Sequence, residues 1–166
     1  MPLGASMQVP WRQSHPLFLG RDYWVSRLAK MRSEPRHLTQ LQRRDLARPG
    51  AEVLELNLKS HDGAPIQALL ARSTFHRIGR AVHLRTCCGL DTCAIDWKAV
   101  EEGTCDLVFP FPSDRPLEAR VLDVLRMVQV AADLESVRAG EVQLFHGART
   151  APDEYLIAEL VLEQGW

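Results

Sequence analysis

The chain has 166 residues, 46% of them hydrophobic and 25% charged, with a formal net charge of -1 at pH 7. That length and apolar content fit one ordinary globular core, and no run of about 18 apolar residues is present to cross a membrane as a helix. The N-terminal Met1-Pro2-Leu3-Gly4-Ala5-Ser6 lacks a basic region followed by an apolar stretch, so a secretory signal is unsupported and a cytoplasmic protein is the expectation.

The near-zero charge hides an asymmetry. Residues 1–50 hold nine Lys/Arg against three Asp/Glu, and the remainder holds eleven against eighteen. A basic segment can meet nucleic acid or an acidic membrane, but no Lys/Arg cluster interleaved with aromatics is present; docking on the acidic remainder of the chain accounts for the asymmetry. Neither nucleic acid nor membrane is expected as a partner.

Residues 1–20 contain three prolines and two glycines with no sustained period, and read as a surface arm. Tyr23, Trp24, Leu28 and Met31 then recur near helical spacing, and a second polar-rich segment follows through Leu38, Leu41 and Leu46, so two short helices are predicted before Arg48-Pro49-Gly50 closes the region. Residues 1–50 thus form an arm with helices packed on a domain at 51–166. Val53, Leu54, Leu56 and Leu58 alternate with polar residues, Asp62-Gly63 supplies turn chemistry and Ile66 to Leu70 returns, which predicts an antiparallel hairpin. A third strand at 81–85 leads into Thr86-Cys87-Cys88-Gly89. Asp91 to Glu102 reads as a helix ended by Gly103, and Cys105 to Phe109 as a fourth strand. A long helix follows with Leu117, Val121, Val124, Leu125, Val128 and Ala132 on one face, ended by Gly140.

The last strand, at 141–145, runs into His146-Gly147-Ala148-Arg149-Thr150. Gly147 permits a tight turn, and Thr150-Ala151-Pro152-Asp153 carries a cap, an early proline and an acid for a following helix. Tyr155 to Leu162 reads most simply as that helix and alternatively as a strand hairpinned to 141–145. The order implies an α/β fold in three layers, with a mostly parallel five-stranded sheet, an N-terminal β-hairpin and a helical arm.

This order, with Arg21-Asp22-Tyr23-Trp24, Asp62-Gly63-Ala64-Pro65-Ile66 and the strand-turn-helix at 141–153, resembles the N-terminal half of an α/β-hydrolase of the acetyl xylan esterase and cephalosporin-C deacetylase group. The resemblance spans roughly residues 20–162. It implies a nucleophile elbow of the form Gly-x-Ser-x-Gly at 146–150 and an oxyanion loop at Thr86, Cys87, Cys88 and Gly89. The departures are chemical: Ala148 stands where the serine would be, Thr150 where the second glycine would be, and only Gly89 survives of the family's His-Gly-Tyr-Gly loop. The family's catalytic acid and histidine come from strands beyond the elbow, and this chain ends 18 residues past Ala148.

A methyl group can neither attack a carbonyl nor be activated by a base, so a pseudoenzyme is expected, a truncated hydrolase-like protein kept as a binding or assembly module. The alternative is a carboxylic ester hydrolase whose site is completed by a partner subunit or by Thr150 with His146 as base; the bland roles of these two are a helix cap and a turn histidine. Gly147, Ala148 and Arg149 with Thr86, Cys87 and Cys88 are the positions that would line a residual site. No cofactor and no metal are expected: Cys87, Cys88, Cys93 and Cys105 fall within 19 residues, but Cys87 and Cys88 lie after the third strand while Cys105 begins the fourth, and parallel neighbours put those points at opposite ends of the strands. The apolar edge at 141–145 predicts a homodimer or a hydrolase-like hetero-partner, unless residues 155–162 cover it.

Overall fold

A computed structural model of the chain describes residues 21–75, 80–87, 90, 95–110, 114–134 and 137–144. Its elements are α1 (Arg21–Ser33), β1 (Thr39–Gln42), β2 (Ala51–Lys59), β3 (Pro65–Ser73), β4 (Arg80–Cys87), α2 (Trp97–Glu101), β5 (Cys105–Pro110), α3 (Leu117–Ala132) and β6 (Val137–Leu144).

All six strands form one sheet in the order β1-β2-β3-β5-β4-β6. The β2–β3 hairpin forms as the sequence predicts, with Leu58 opposite Ile66 and the turn closed by Gly63 at φ 83°. A mostly parallel five-stranded sheet does not. Among the described residues the sheet has six strands and is mixed: β1–β2, β2–β3 and β3–β5 are antiparallel, whereas β4–β5 and β4–β6 are parallel. The extra strand is β1, in the segment read as a second helix. All four of its residues are exposed, and it is held by its ladder to β2 from Thr39↔Asn57 to Gln42↔Leu54. A cross-strand ladder is non-local, so local periodicity does not report it. Gly140 likewise does not end the long helix; α3 stops at Ala132 and Gly140 lies inside β6.

Side chains alternate across the sheet and create two cores. On one face Leu54, Leu56, Leu58, Ala68, Leu70, Val82, Leu84, Leu107 and Phe109 meet α3 and the Trp24-Leu28-Met31 stripe of α1. On the other, Val53, Leu69 and Ala71 meet Val100 of α2, with Leu46, Ile95 and Trp97 around them. The helices therefore lie on both faces, as expected. The spacing i, i+4, i+7 puts Trp24, Leu28 and Met31 on one side of α1, and burying each contributes about 1.5–3 kcal/mol.

The basic N-terminal region spends its charge inside the molecule. Arg27 pairs with Glu118, Arg36 with Asp133 and Arg43 with Asp45 and Glu55, while Arg48 stacks 4.2 Å from the Trp97 ring. No helix among the described residues is long and apolar enough to cross a membrane.

Candidate functional site

β4 is the central parallel strand, with β5 on one side and β6 on the other. The β4–β5 connection runs through α2 on one face, and the β5–β6 connection through α3 on the opposite face. Chain order thus doubles back across β4, and a crevice at the carboxyl ends of such strands is where open α/β sheets receive ligands. Thr86 and Cys87 end β4 at that edge, level with Phe109 and Pro110 of β5. Both are half-buried. Alternation sets Thr86 on the α3 face, with Val82 and Leu84, and Cys87 on the α2 face, with His83 and Arg85. The last described residue of β6, Leu144, is level with Leu84. Cys88, Cys93, His146, Gly147, Ala148, Arg149, Thr150 and the 155–162 segment lie outside the described residues.

Toward the amino end of β5 lies a buried carboxylate that the sequence does not advertise. Asp106, the second residue of β5, is fully buried and receives both arms of the Arg85 guanidinium, Nε to Oδ1 at 2.7 Å and Nη2 to Oδ2 at 2.6 Å. It also accepts the backbone N–H of Asp96 at 2.8 Å. Asp96 in turn caps α2, its Oδ1 accepting from the Ala99 N–H. The chain leaving the carboxyl end of β4 is therefore tied back to β5 as it enters α2. A paired, fully bonded carboxylate is tolerable at such depth; an unpaired one is not.

A second polar cluster lies where the β2–β3 turn meets α3. Asp123 and Ser60 are both 4% exposed, and the Ser60 hydroxyl donates to Asp123 Oδ1. Arg115 bridges two carboxylates, with Nη1 3.1 Å from Asp62 Oδ2 and Nη2 3.3 Å from Asp123 Oδ1. Its Nε is 2.9 Å from Asp123 Oδ2, an ion-pair contact not aligned as a hydrogen bond. Burial raises the Asp123 carboxyl above the usual aspartate range, outweighing the Ser60 bond and Arg115 that pull it down. Burial acts the same way on Asp62, but there the Ala64 N–H and Arg115 prevail and the carboxyl is lowered. On α3, Asp123, Arg126 and Gln129 read as a polar stripe, and only the packing of α1 and the turn shows that all three are buried.

The cysteines separate as their spacing implies. Cys105 pairs with Val82, five residues along β4 from Cys87, a separation of about 16 Å at 3.3 Å per residue. One ion cannot hold both, and no group of three or more His, Cys, Asp or Glu able to hold a metal occurs among the described residues. His83 sits in β4 and His61 in the turn after β2.

No family model matches this sequence, and no curated protein matches it. Solved structures do. The chain superposes on an acetyl xylan esterase from Paenibacillus sp. R4 with a TM-score of 0.61 at 14% identity, covering 75% of this chain and 50% of that one. The likeness is to part of an α/β-hydrolase fold. Acetyl xylan esterase 1 from Thermoanaerobacterium sp. JW/SL YS485 gives 0.59 at 14% identity over 73% of this chain and 48% of that one. A glucuronoyl esterase from Solibacter usitatus gives 0.51 at 11% identity. The α/β-hydrolase-like chain thus spans about half the length of the structures it matches, and at these identities the likeness speaks for the fold alone.

Proposed function

We propose that this α/β-hydrolase-like chain is a non-catalytic binding or assembly module. The observation that carries the reading is the place of β6, parallel to β4 on the side away from β5 and followed in sequence, after Phe145, by His146-Gly147-Ala148-Arg149-Thr150. In the fold it resembles, that strand delivers the nucleophile, and the sequence position matching it here is Ala148. From Phe145 to Trp166 the sequence holds no serine or cysteine, and its side-chain hydroxyls are those of Thr150 and Tyr155. The sequence Thr150-Ala151-Pro152-Asp153 carries helix-start signals, which favour a capping role for Thr150 over that of a nucleophile. Thr86 and Cys87 would then border a ligand crevice without chemistry.

The test is hydrolysis of a short-chain aryl acetate by the purified chain, beside Ala148→Ser and Thr150→Ala. No turnover above buffer is expected from the wild type or from Thr150→Ala. Wild-type turnover abolished by Thr150→Ala would overturn the proposal and establish a carboxylic ester hydrolase with a substitute nucleophile.

A further inference from the structure

β1 ends the sheet on the side opposite β6, and all four of its residues, Thr39 to Gln42, are exposed. One hydrogen bond fixes which of its backbone groups are free. The Arg43 N–H donates to the Val53 carbonyl at 2.8 Å, so these two residues form a hydrogen-bonded pair that continues the antiparallel β1–β2 ladder. Such pairs alternate with pairs whose N–H and C=O groups point away from each other. Thr39 and Leu41 therefore spend their backbone groups on β2, opposite Asn57 and Glu55, while Gln40 and Gln42 aim theirs off the edge. Between those two glutamines stands Leu41, one of the few large apolar side chains left exposed among the described residues.

We propose that β1 is a self-recognition edge, which pairs antiparallel with β1 of a second copy of this chain about a two-fold axis at Leu41. In that register Gln40 and the partner's Gln42 exchange N–H···O=C bonds, and the axis repeats the exchange between Gln42 and the partner's Gln40. Leu41 and the partner's Leu41 then form a non-hydrogen-bonded pair, the kind whose side chains lie closest, and each covers the other. Charge selects this register among those that bring outward backbone groups together. Centring the contact on Gln40 would set Arg36 opposite the partner's Arg44 and His37 opposite the partner's Arg43, and like charges directly opposite destabilise a ladder. Centring it on Gln42 would set Leu41 opposite the partner's Arg43. With the axis at Leu41, Arg43 instead meets the partner's Thr39, and His37 comes level with the partner's Asp45. Pairing a strand of 4 residues covers far less than the roughly 1,200 Å² of a stable interface, so the contact is weak and reversible. It is independent of the elbow and of the non-catalytic reading, and it lies at the other end of the sheet from β6.

The experiment is amide hydrogen exchange of the full chain, followed by nuclear magnetic resonance as the protein concentration is raised, with sedimentation equilibrium beside it. In dilute solution the Leu41 N–H is expected to be protected by β2, while those of Gln40 and Gln42 exchange freely. At high concentration the two glutamine amides should slow several-fold together; rates that do not move with concentration would overturn the proposal. Gln42→Pro removes only an outward N–H, a change that an edge strand tolerates, and Leu41→Lys sets two ammonium groups against each other at the axis. Each should weaken the dimer at least tenfold. If Gln42→Pro does not fold, Leu41→Lys decides, because that side chain already faces solvent. A dimer that Leu41→Lys leaves unchanged would overturn the β1 contact and place association at another surface, such as the β6 edge.

Discussion

At the scale of single residues, Arg126 shows how a charge becomes part of a core. Its side chain is 1% exposed and donates to the carbonyl oxygens of Met31 at 2.8 Å, Lys59 at 3.2 Å and Pro35 at 3.3 Å, and to Gln129 Oε1 at 3.3 Å. Burial pulls its pKa down from the ordinary arginine value, but a guanidinium stays charged at neutral pH. One side chain thus satisfies carbonyls at the end of α1, in the following loop and at the end of β2. Arg126→Met keeps the bulk and removes these donors; the Met31 carbonyl keeps the Glu34 N–H at 3.3 Å, and each buried acceptor left without a partner costs about 1–3 kcal/mol, offset by removal of a buried charge. A net loss of about 2–4 kcal/mol is expected in urea unfolding. Asp123 gives a prediction of opposite sense. Its carboxyl is raised in the fold, so the native state binds the proton more tightly than the unfolded chain does. Its contribution to stability is full below the ordinary value of 3.8 and is lost as pH rises through the higher folded value. Asp123→Asn cannot ionise, so its stability relative to wild type should climb as pH is raised through that window, measured by denaturant unfolding at each pH. Glu55, lowered by its bonds from Asn57 and then Arg43, acts the other way and loses its contribution as pH falls.

At the scale of elements, the two tight turns bounding β2 separate backbone strain from packing. Gly50 and Gly63 have φ of 76° and 83°, a region that costs other residues about 1–2 kcal/mol. A Cβ at Gly63 would meet nothing within 4 Å, whereas one at Gly50 would stand 2.6 Å from the Phe75 ring. Phe75 is 83% exposed, so the ring can swing away. Gly63→Ala should cost the strain alone; Gly50→Ala should cost that plus the displaced ring, about 2–3 kcal/mol in all. In a Phe75→Ala background the two costs should converge, a double-mutant cycle readable by thermal unfolding. Both turns are legible in Arg48-Pro49-Gly50 and Asp62-Gly63 because turn chemistry is local. The sequence Thr39-Gln40-Leu41-Gln42 carries no such mark: with Leu41 58% exposed, β1 exists because β2 offers it a ladder.

At the scale of the molecule, β6 pairs with β4 alone among the described residues, leaving its other side as the end of the sheet. The proposed assembly uses that edge to add a second copy, an isologous contact that would run one sheet through two chains. Sedimentation equilibrium should then show a concentration-dependent dimer, and a single monomeric species up to high concentration would remove assembly through β6 from the proposal.

The sequence by itself determined what nearest neighbours decide: the hairpin and its turn, the α1 stripe, the order of strands and helices from β4 onward, and the identity of Ala148 after the last strand. Part of the basic N-terminal charge pairs with later segments of the chain, as in Arg27–Glu118 and Arg36–Asp133. Only the tertiary structure decided the rest. That β3 runs antiparallel to β5, and that β1 joins the sheet, depends on pairings between segments distant in sequence, for which no residue carries a local signal. Asp106, Asp123 and Arg126 look like solvent-facing charges in sequence. They are buried because Arg85, Ser60 and the end of α1 arrive there from elsewhere in the chain and bring the hydrogen bonds that make burial tolerable.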